Sequence, residues 1–224
     1  KNPLTPIQLS AERLQMKLTG KLPEAEEAVL AKSVRTIVDQ VGAMKRLVNE
    51  FRDYARLPAA ELHPLDLNAL VTDVLQLYGS ENATVPVAVE LDPRCPPVAG
   101  DAQQLRQVVH NLLQNAQDAT EEAARKGQVP AEPVHISTHW SESSRRVRLT
   151  VSDRGSGFAP NILQRALEPY VTTKSGGTGL GLAVVKKIAD EHGARVDLVN
   201  RMENGMVRGA QVSLSFAPER AVAL

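Results

Sequence analysis

Cysteine is almost absent: Cys95 is the single thiol in 224 residues. That excludes an intrachain disulfide and a cysteine-built metal site, and it points to a reducing compartment. Flanked by prolines, Cys95 reads as an inert thiol in a loop. Net charge is absent as well. The 26 Lys and Arg residues balance 26 Asp and Glu, so no field of one sign draws the chain onto nucleic acid or an anionic membrane surface. No apolar run approaches the roughly 18 residues that cross a bilayer. No signal-peptide pattern opens the chain, and no internal repeat or low-complexity tract interrupts it. The first residue is Lys1 rather than Met, so the chain is expected to be a fragment. What is present is ordinary: 42% hydrophobic and 23% charged residues, the composition of a globular protein and not of a disordered or collagen-like one. The length allows one large domain, or a compact domain with a smaller element.

The pattern of apolar residues changes once along the chain. Leu4, Ile7, Ala11, Leu14 and Leu18 recur at alternating steps of three and four, the narrow stripe of a helical seam, predicting a helix over about Pro3 to Thr19. Gly20-Lys21-Leu22-Pro23 breaks it. Two interleaved sevens follow, Leu30, Ile37, Met44, Phe51 and Val34, Val41, Val48, predicting a long helix over about Glu24 to Arg56. Two such antiparallel helices enclose no core alone. Pairing with a second hairpin in a homodimer makes a four-helix bundle; the alternative is packing on the chain's own C-terminal domain.

Leu57-Pro58-Ala59-Ala60 ends the long helix and marks a domain boundary, giving 1–57 and 58–224. Beyond it, short strands alternate with helices. Asp66 or Asn68 caps a helix carrying Leu70, Val71, Val74, Leu75 and Tyr78. Alternation over Val85, Val87, Val89 and Leu91 predicts a strand. Asp101 caps a helix whose apolar face is Leu105, Val108, Val109, Leu112, Leu113 and Ala116, ending near Lys126. Strands are expected at Val134 to Trp140, Val147 to Val151, Val196 to Leu198 and Val212 to Phe216. A short helical piece is expected near Ile162, and a longer helix over Leu180 to Glu191. The whole reads as α+β: a helical hairpin, then a mixed sheet with helices layered on it.

Three stretches carry chemistry. In His110 to Ala119, Asn111, Asn115 and Asp118 stand four and three apart on one side of a helix whose other side is apolar. A line of carboxamide and carboxylate oxygens suits Mg²⁺, which takes oxygen ligands and binds through one or two protein groups plus substrate phosphates. Alone, the row is also what a solvated helix face presents. In Val151-Ser152-Asp153-Arg154-Gly155-Ser156-Gly157-Phe158 a strand ends on an acid followed by alternating glycines. A carboxylate there accepts a hydrogen bond from an adenine amino group, and the glycines let the backbone approach the ring; alone, this is also an Asp/Gly turn. In Thr172-Thr173-Lys174-Ser175-Gly176-Gly177-Thr178-Gly179-Leu180-Gly181 a glycine-rich loop runs into a helix start, a place for phosphate, with Lys174 and the threonines adding charge and hydroxyl donors. No Gly-Lys-Ser/Thr closes it, so it is no Walker loop, and no strand directly precedes it as in a Rossmann turn. Alone, it is also a flexible loop.

In this order the three stretches resemble the N, G1 and G2 boxes of the ATPase superfamily that includes sensor histidine kinases, Hsp90, MutL and gyrase B. Glu168-Pro169-Tyr170-Val171-Thr172-Thr173-Lys174 is similar to the kinases' F box, with Leu167 where Phe is usual. Lys1-Asn2-Pro3-Leu4-Thr5-Pro6-Ile7 is similar to the tail of the kinase H box, His-Glu-Ile-Lys-Asn-Pro-Leu, without its first three residues. The run on through Gln8 to Leu14 resembles nitrogen-regulation sensor kinases. The resemblance covers essentially the whole chain.

It implies an α/β sandwich ATPase domain after the hairpin, ATP and Mg²⁺ as cofactors, and a role for each matching residue. Asp153 would bind the adenine amino group, with Gly155 and Gly157 shaping the pocket. Asn115 would hold Mg²⁺ and Asn111 support the phosphates. Thr172, Thr173, Lys174 and Gly177, Gly179, Leu180 and Gly181 would form lid and phosphate cradle. The γ-phosphoryl group would pass to a histidine on the first helix and then to an Asp of a response-regulator receiver domain, NtrX-like by resemblance. Asn2, four residues after the phosphorylated position, would orient a water for removing phosphate from the regulator. The resemblance also implies the cytoplasmic portion of a bacterial protein anchored in the inner membrane through segments upstream of this chain.

The nucleophile is missing. His63, His110, His135, His139 and His192 lack the H-box context and read as surface or core residues. The chain is therefore expected to bind Mg-ATP and to dimerise without phosphorylating itself. If the first helix starts near Pro3 and Pro6, both sit in its first turn, where missing N–H groups cost little; if it continues upstream, they bend it. Two other readings stay open. A hydrolytic clamp of the Hsp90 or MutL type needs a catalytic Glu on the Asn helix, where His110 precedes Asn111 and the first Glu is Glu121. A non-catalytic dimer module would use its nucleotide site only to bias conformation.

Overall fold

The computed structural model of the protein describes residues 4–78, 85–127, 132–174 and 177–219. By contact the described residues divide into two compact units: 4–57 together with 174, 177 and 178, and 58–173 together with 179–219.

The first unit is built on α1 (Leu4–Leu18) and α2 (Glu24–Ala55). The turn between them is held by the Gly20 N–H, which donates to Glu27 Oε1 at 2.9 Å. Lys45 Nζ on α2 donates to Gln8 Oε1 on α1 at 2.8 Å. Ala11, Val34 and Val41 are buried, whereas Ile7, Leu14, Ile37, Met44, Val48 and Phe51 are exposed. The two interleaved sevens therefore separate only over the middle of α2, since Val48, of the same series as Val34 and Val41, is exposed. Val34 and Val41 lie in the seam, and the series from Ile37 through Phe51 stays open in the single chain.

In the second unit the main sheet has order β2-β4-β5-β7-β6, with β2 (Val87–Leu91), β4 (Val134–Ser141), β5 (Arg146–Ser152), β6 (Arg195–Glu203) and β7 (Met206–Phe216). Only the β2/β4 pair is parallel. The sheet has one apolar face, carrying Ile136, Leu149, Val151, Leu214 and Phe216, all buried. Against it lie α4 (Ala102–Arg125) and α6 (Gly181–Glu191), with α3 (Leu67–Tyr78) packed on α4. The six apolar residues predicted for the face of α4 are each at most 4% exposed. At about 2–5 kcal/mol for truncating one such Leu to Ala, this face is the unit's main support. Val184, Val185 and Ile188 of α6 are buried beside it. The short α5 (Pro160–Leu163) follows the loop after β5. Among the described residues, no helix is long and apolar enough to cross a membrane.

Several local expectations are refined. Asp66, not Asn68, caps α3: its Oδ1 accepts the N–H groups of Asn68 and Ala69 at 2.9 and 3.1 Å. The Asn68 carboxamide instead donates to the Asp92 carbonyl at 2.9 Å and accepts from Thr138 Oγ1 at 2.6 Å, pinning α3 to the sheet. The β2 ladder begins at Val87 and not at Val85, because Pro86 has no N–H to give; its carbonyl takes the Val134 N–H at 3.0 Å. A second sheet not read from the sequence pairs β1 (His63–Leu65) with β3 (Val98–Gly100), antiparallel. Four histidines, His63, His110, His135 and His139, are exposed and His192 is buried. Cys95 is half-buried, and burial pushes its thiol above the usual range.

Candidate functional site

The side of α4 turned away from its apolar face organises the site. Asn111, Asn115, Asp118 and Ala119 follow one another along it, all half-buried. Asn111 Nδ2 donates to the Gly181 carbonyl at 3.3 Å. A methyl group placed on Gly181 would come 3.3 Å from Asn115 Nδ2, so the first residue of α6 lies directly on the two carboxamides. One turn further on, a methyl group on Gly155 would stand 2.8 Å from Ala119 Cβ and 2.9 Å from its carbonyl oxygen. Asp118 is bonded on its own helix, where Gln114 Nε2 donates to its Oδ1 at 2.8 Å. One helix thus brings together three stretches that are far apart in the chain.

The loop after β5 is fixed by its acid. Asp153 is 8% exposed; its Oδ1 accepts the Gly155 N–H at 2.8 Å and the Ala210 N–H at 3.1 Å. Its own N–H donates to the Ala210 carbonyl at 3.0 Å, and its carbonyl accepts from Arg201 Nη1 at 3.1 Å. A buried carboxylate is stable only with donors of this kind around it. Gly157 sits at φ +68°, and a Cβ there would meet Val207 at 2.5 Å and Asn200 Oδ1 at 2.8 Å. The alternating glycines are therefore required by space at both positions and by backbone angle at the second.

Leading into α6, Gly179 (φ +70°) approaches Tyr170 and Val171 so closely that a Cβ would lie 2.6 Å from the Tyr170 carbonyl carbon. The Tyr170 N–H donates to the Gly179 carbonyl at 3.0 Å, and Tyr170 itself has a positive φ of 66°. The segment carrying Thr172 and Thr173 is thereby closed at its base. Leu180 at the start of α6 makes no side-chain cap hydrogen bond; a helix N-terminus is the kind of place where phosphate binds. The Gly177 N–H donates to the Lys174 carbonyl at 3.1 Å. Lys174, Gly177 and Thr178 group by contact with the first unit, so the geometry above is that of the second unit's residues. Asn2 lies outside the described residues, as do Ser175 and Gly176 of the glycine-rich stretch.

The donor set fits a nucleotide. It combines carboxamide oxygens on α4, an uncapped helix start with glycines against it, and a buried carboxylate in a loop where side chains do not fit. Residues not read from the sequence complete it: Asn200, Arg201, Gly209 and Ala210, all on the β6–β7 hairpin. The signal was present. Asn204-Gly205, with φ of 51° and 75°, is the dipeptide of a two-residue hairpin turn, and a lone glycine inside a strand pattern, Gly209, marks a bulge or a close approach.

Comparison with known proteins agrees. Residues 100–220 match the family described as histidine kinase-, DNA gyrase B-, and HSP90-like ATPase, and residues 1–60 match the His kinase A (phospho-acceptor) domain. The chain belongs to this ATPase family, in the phospho-acceptor-then-ATPase arrangement of the sensor histidine kinases. Among these it is similar to the nitrogen regulation protein NtrY of Azorhizobium caulinodans, 35% identical over 98% of this chain and 27% of that protein. An NtrY-like protein of Rickettsia bellii is 35% identical over 92% of this chain and 32% of that protein. The chain thus spans about a third or less of the length of these relatives. Full-length ShkA in complex with AMPPNP has a similar structure, with a TM-score of 0.66 and 26% identity over 98% of this chain and 44% of that one.

Proposed function

We propose that this polypeptide is the dimerising, ATP-binding core of a two-component sensor histidine kinase of the nitrogen-regulation type. Residues 1–57 are its dimerisation and phosphotransfer hairpin and 58–224 its ATP-binding domain. The reading rests on the convergence along α4, where Asn111 and Asn115 meet Gly181 and Ala119 meets Gly155. In this reading Asp153 accepts the adenine amino group, and Gly155 and Gly157 leave room for the ring. Asn115 would hold Mg²⁺ through its carboxamide oxygen, and Asn111 and Asp118, on the same row, would support the phosphates. The start of α6 at Leu180 and Gly181, with Gly179, gives backbone N–H groups to phosphate; Lys174, Thr172, Thr173 and Gly177 close over it. Mg-ATP supplies the phosphoryl group. The protein's part in its transfer is positioning and neutralisation of charge.

In the intact protein the recipient is a histidine upstream of Asn2, and from there the phosphoryl group passes to a receiver-domain Asp of an NtrX-like regulator. Asn2 orients a water that hydrolyses the regulator's aspartyl phosphate and releases inorganic phosphate. No histidine occurs before His63 in this polypeptide, so it binds nucleotide without labelling itself. The open series on α2 pairs with a second copy. The cytoplasmic side of a membrane-anchored protein is the place assigned to this part. Calorimetric titration with Mg-ATP tests the nucleotide reading. Asp153→Asn is expected to weaken binding about tenfold or more, since a charge-assisted bond is lost; unchanged affinity would contradict it.

A further inference from the structure

The loop from Asp153 to Phe158 is gripped at both ends by one hairpin. Its entrance is held by Ala210, through the Asp153 backbone and Oδ1, and by Arg201 at the Asp153 carbonyl. Its exit is held by a single side chain. Asn200 Oδ1 accepts the Phe158 N–H at 2.8 Å, while Asn200 Nδ2 donates to the Phe158 carbonyl at 2.8 Å. A carboxamide carries one acceptor and one donor side by side, which matches the pair of groups on a peptide backbone. Two such bonds fix orientation as well as distance. The same Asn200 oxygen is what a Cβ on Gly157 would strike.

The hairpin is distorted where it grips. Asn200 pairs with Ala210 and Met202 with Val207, which leaves Arg201 alone on β6 opposite Arg208 and Gly209 on β7. This is a β-bulge, a device that re-aims side chains beside a site. Gly209, at φ +129°, makes it possible: a Cβ there would lie 2.0 Å from the Asp153 carbonyl oxygen. The bulge lets Asn200 and Arg201, adjacent in sequence, reach opposite ends of the same six-residue loop.

We propose that Asn200 is a positioning residue that sets the base specificity of the nucleotide site by holding the Asp153–Phe158 loop in register. The proposal rests on the nucleotide reading above, in which Asp153 faces the exocyclic amino group of adenine. Guanine presents a carbonyl at that position, which a carboxylate repels, so discrimination depends on how rigidly the carboxylate is aimed. Loosening the loop costs adenine its bond and relieves guanine of the repulsion. A residue that merely supported the fold would lower both affinities together.

The test is equilibrium binding of non-hydrolysable ATP and GTP analogues, each with Mg²⁺, to the unaltered protein, Asn200→Ala and Asn200→Asp. Amide hydrogen exchange over residues 153–158 is measured without nucleotide. Asn200→Asp keeps the side-chain size and the acceptor for Phe158 N–H, but sets a second acceptor against the Phe158 carbonyl. Both variants are expected to lose about tenfold in ATP-over-GTP preference, the equivalent of one charge-assisted bond, with faster exchange at Phe158. Equal weakening of both analogues, or an unchanged ratio in both variants, would overturn the assignment. Failure of the unaltered protein to bind either analogue would instead overturn the nucleotide reading, and Phe158 exchange in the variants would still report whether Asn200 holds the loop.

Discussion

The Asp101 carboxylate gathers three backbone N–H groups of the second unit. Its Oδ1 accepts the Gln103 and Gln104 N–H groups at 2.9 and 3.1 Å, capping α4, and its Oδ2 accepts the Glu61 N–H at 3.2 Å. Its own N–H donates to His192 Nε2 at 2.9 Å, so the His192 proton sits on Nδ1, 2.8 Å from the Ile188 carbonyl. The start of the Asn-bearing helix and the segment entering the unit meet at this carboxylate, and the end of α6 meets the same residue at its backbone N–H. Burial works against its ionisation, but the donors from Gln104, Glu61 and Gln103 outweigh burial and hold the carboxyl below its ordinary value. A carboxyl whose folded value is depressed adds stability above its unfolded value, about 3.9, and that stability drains away as pH falls through the folded value. Replacing Asp101 with Ala is expected to cost about 0.5–2 kcal/mol at neutral pH. Denaturant melts should show the deficit shrinking below about pH 4. A deficit independent of pH would mean that the carboxylate is not what holds this junction.

At the scale of elements, the hairpin and α4 show what a repeating pattern reveals and what it hides. The face of α4 was readable residue by residue, because a 24-residue helix repeats its period often enough to leave no other assignment. The two sevens on α2 were readable as apolar, but not which of them faces α1. Both rows are apolar, and only the fold puts Val34 and Val41 inward while Ile37, Met44 and Phe51 stay open. The sheet β1/β3 was not readable at all, since its strands have three residues each and one carries Pro64. Pairing across such a sequence distance is set by the docking of larger elements. The Asp-x-Gly-x-Gly stretch was readable as a site, and Asn204-Gly205 and Gly209 signalled the hairpin beside it, but Asn200 as its support was not readable, because it looks like any polar residue in a strand until its partner is known. The open row carries its own prediction. Met44, 54% exposed in the single chain, becomes covered if two hairpins pair. Met44→Asp is expected to shift the protein from dimer to monomer in sedimentation, leaving the melting of the second unit unchanged. A dimer that survives the substitution would place the contact elsewhere.

At the scale of the molecule, the order of parts is the argument: a helical hairpin with an unpaired apolar row, then an ATPase-family unit whose one long helix joins an acid-glycine loop to a glycine-started helix. In the function proposed above, the second unit binds the nucleotide and the hairpin is where its phosphoryl group is used. In the proposed kinase the acceptor is an imidazole on the first helix of a longer protein and none of the histidines present here. Four of these are exposed on the second unit and the fifth, His192, is committed to Asp101 and Ile188. The most direct test uses γ-labelled Mg-ATP with two polypeptides, this one and the same chain extended upstream through a His-Glu-Ile H box, followed by acid treatment of the labelled protein. Acid-labile label is expected on the extended chain alone. Label on a histidine of the shorter chain, or none on either while nucleotide is bound, would contradict it; the second result would mark the pair of units as a regulatory nucleotide-binding dimer.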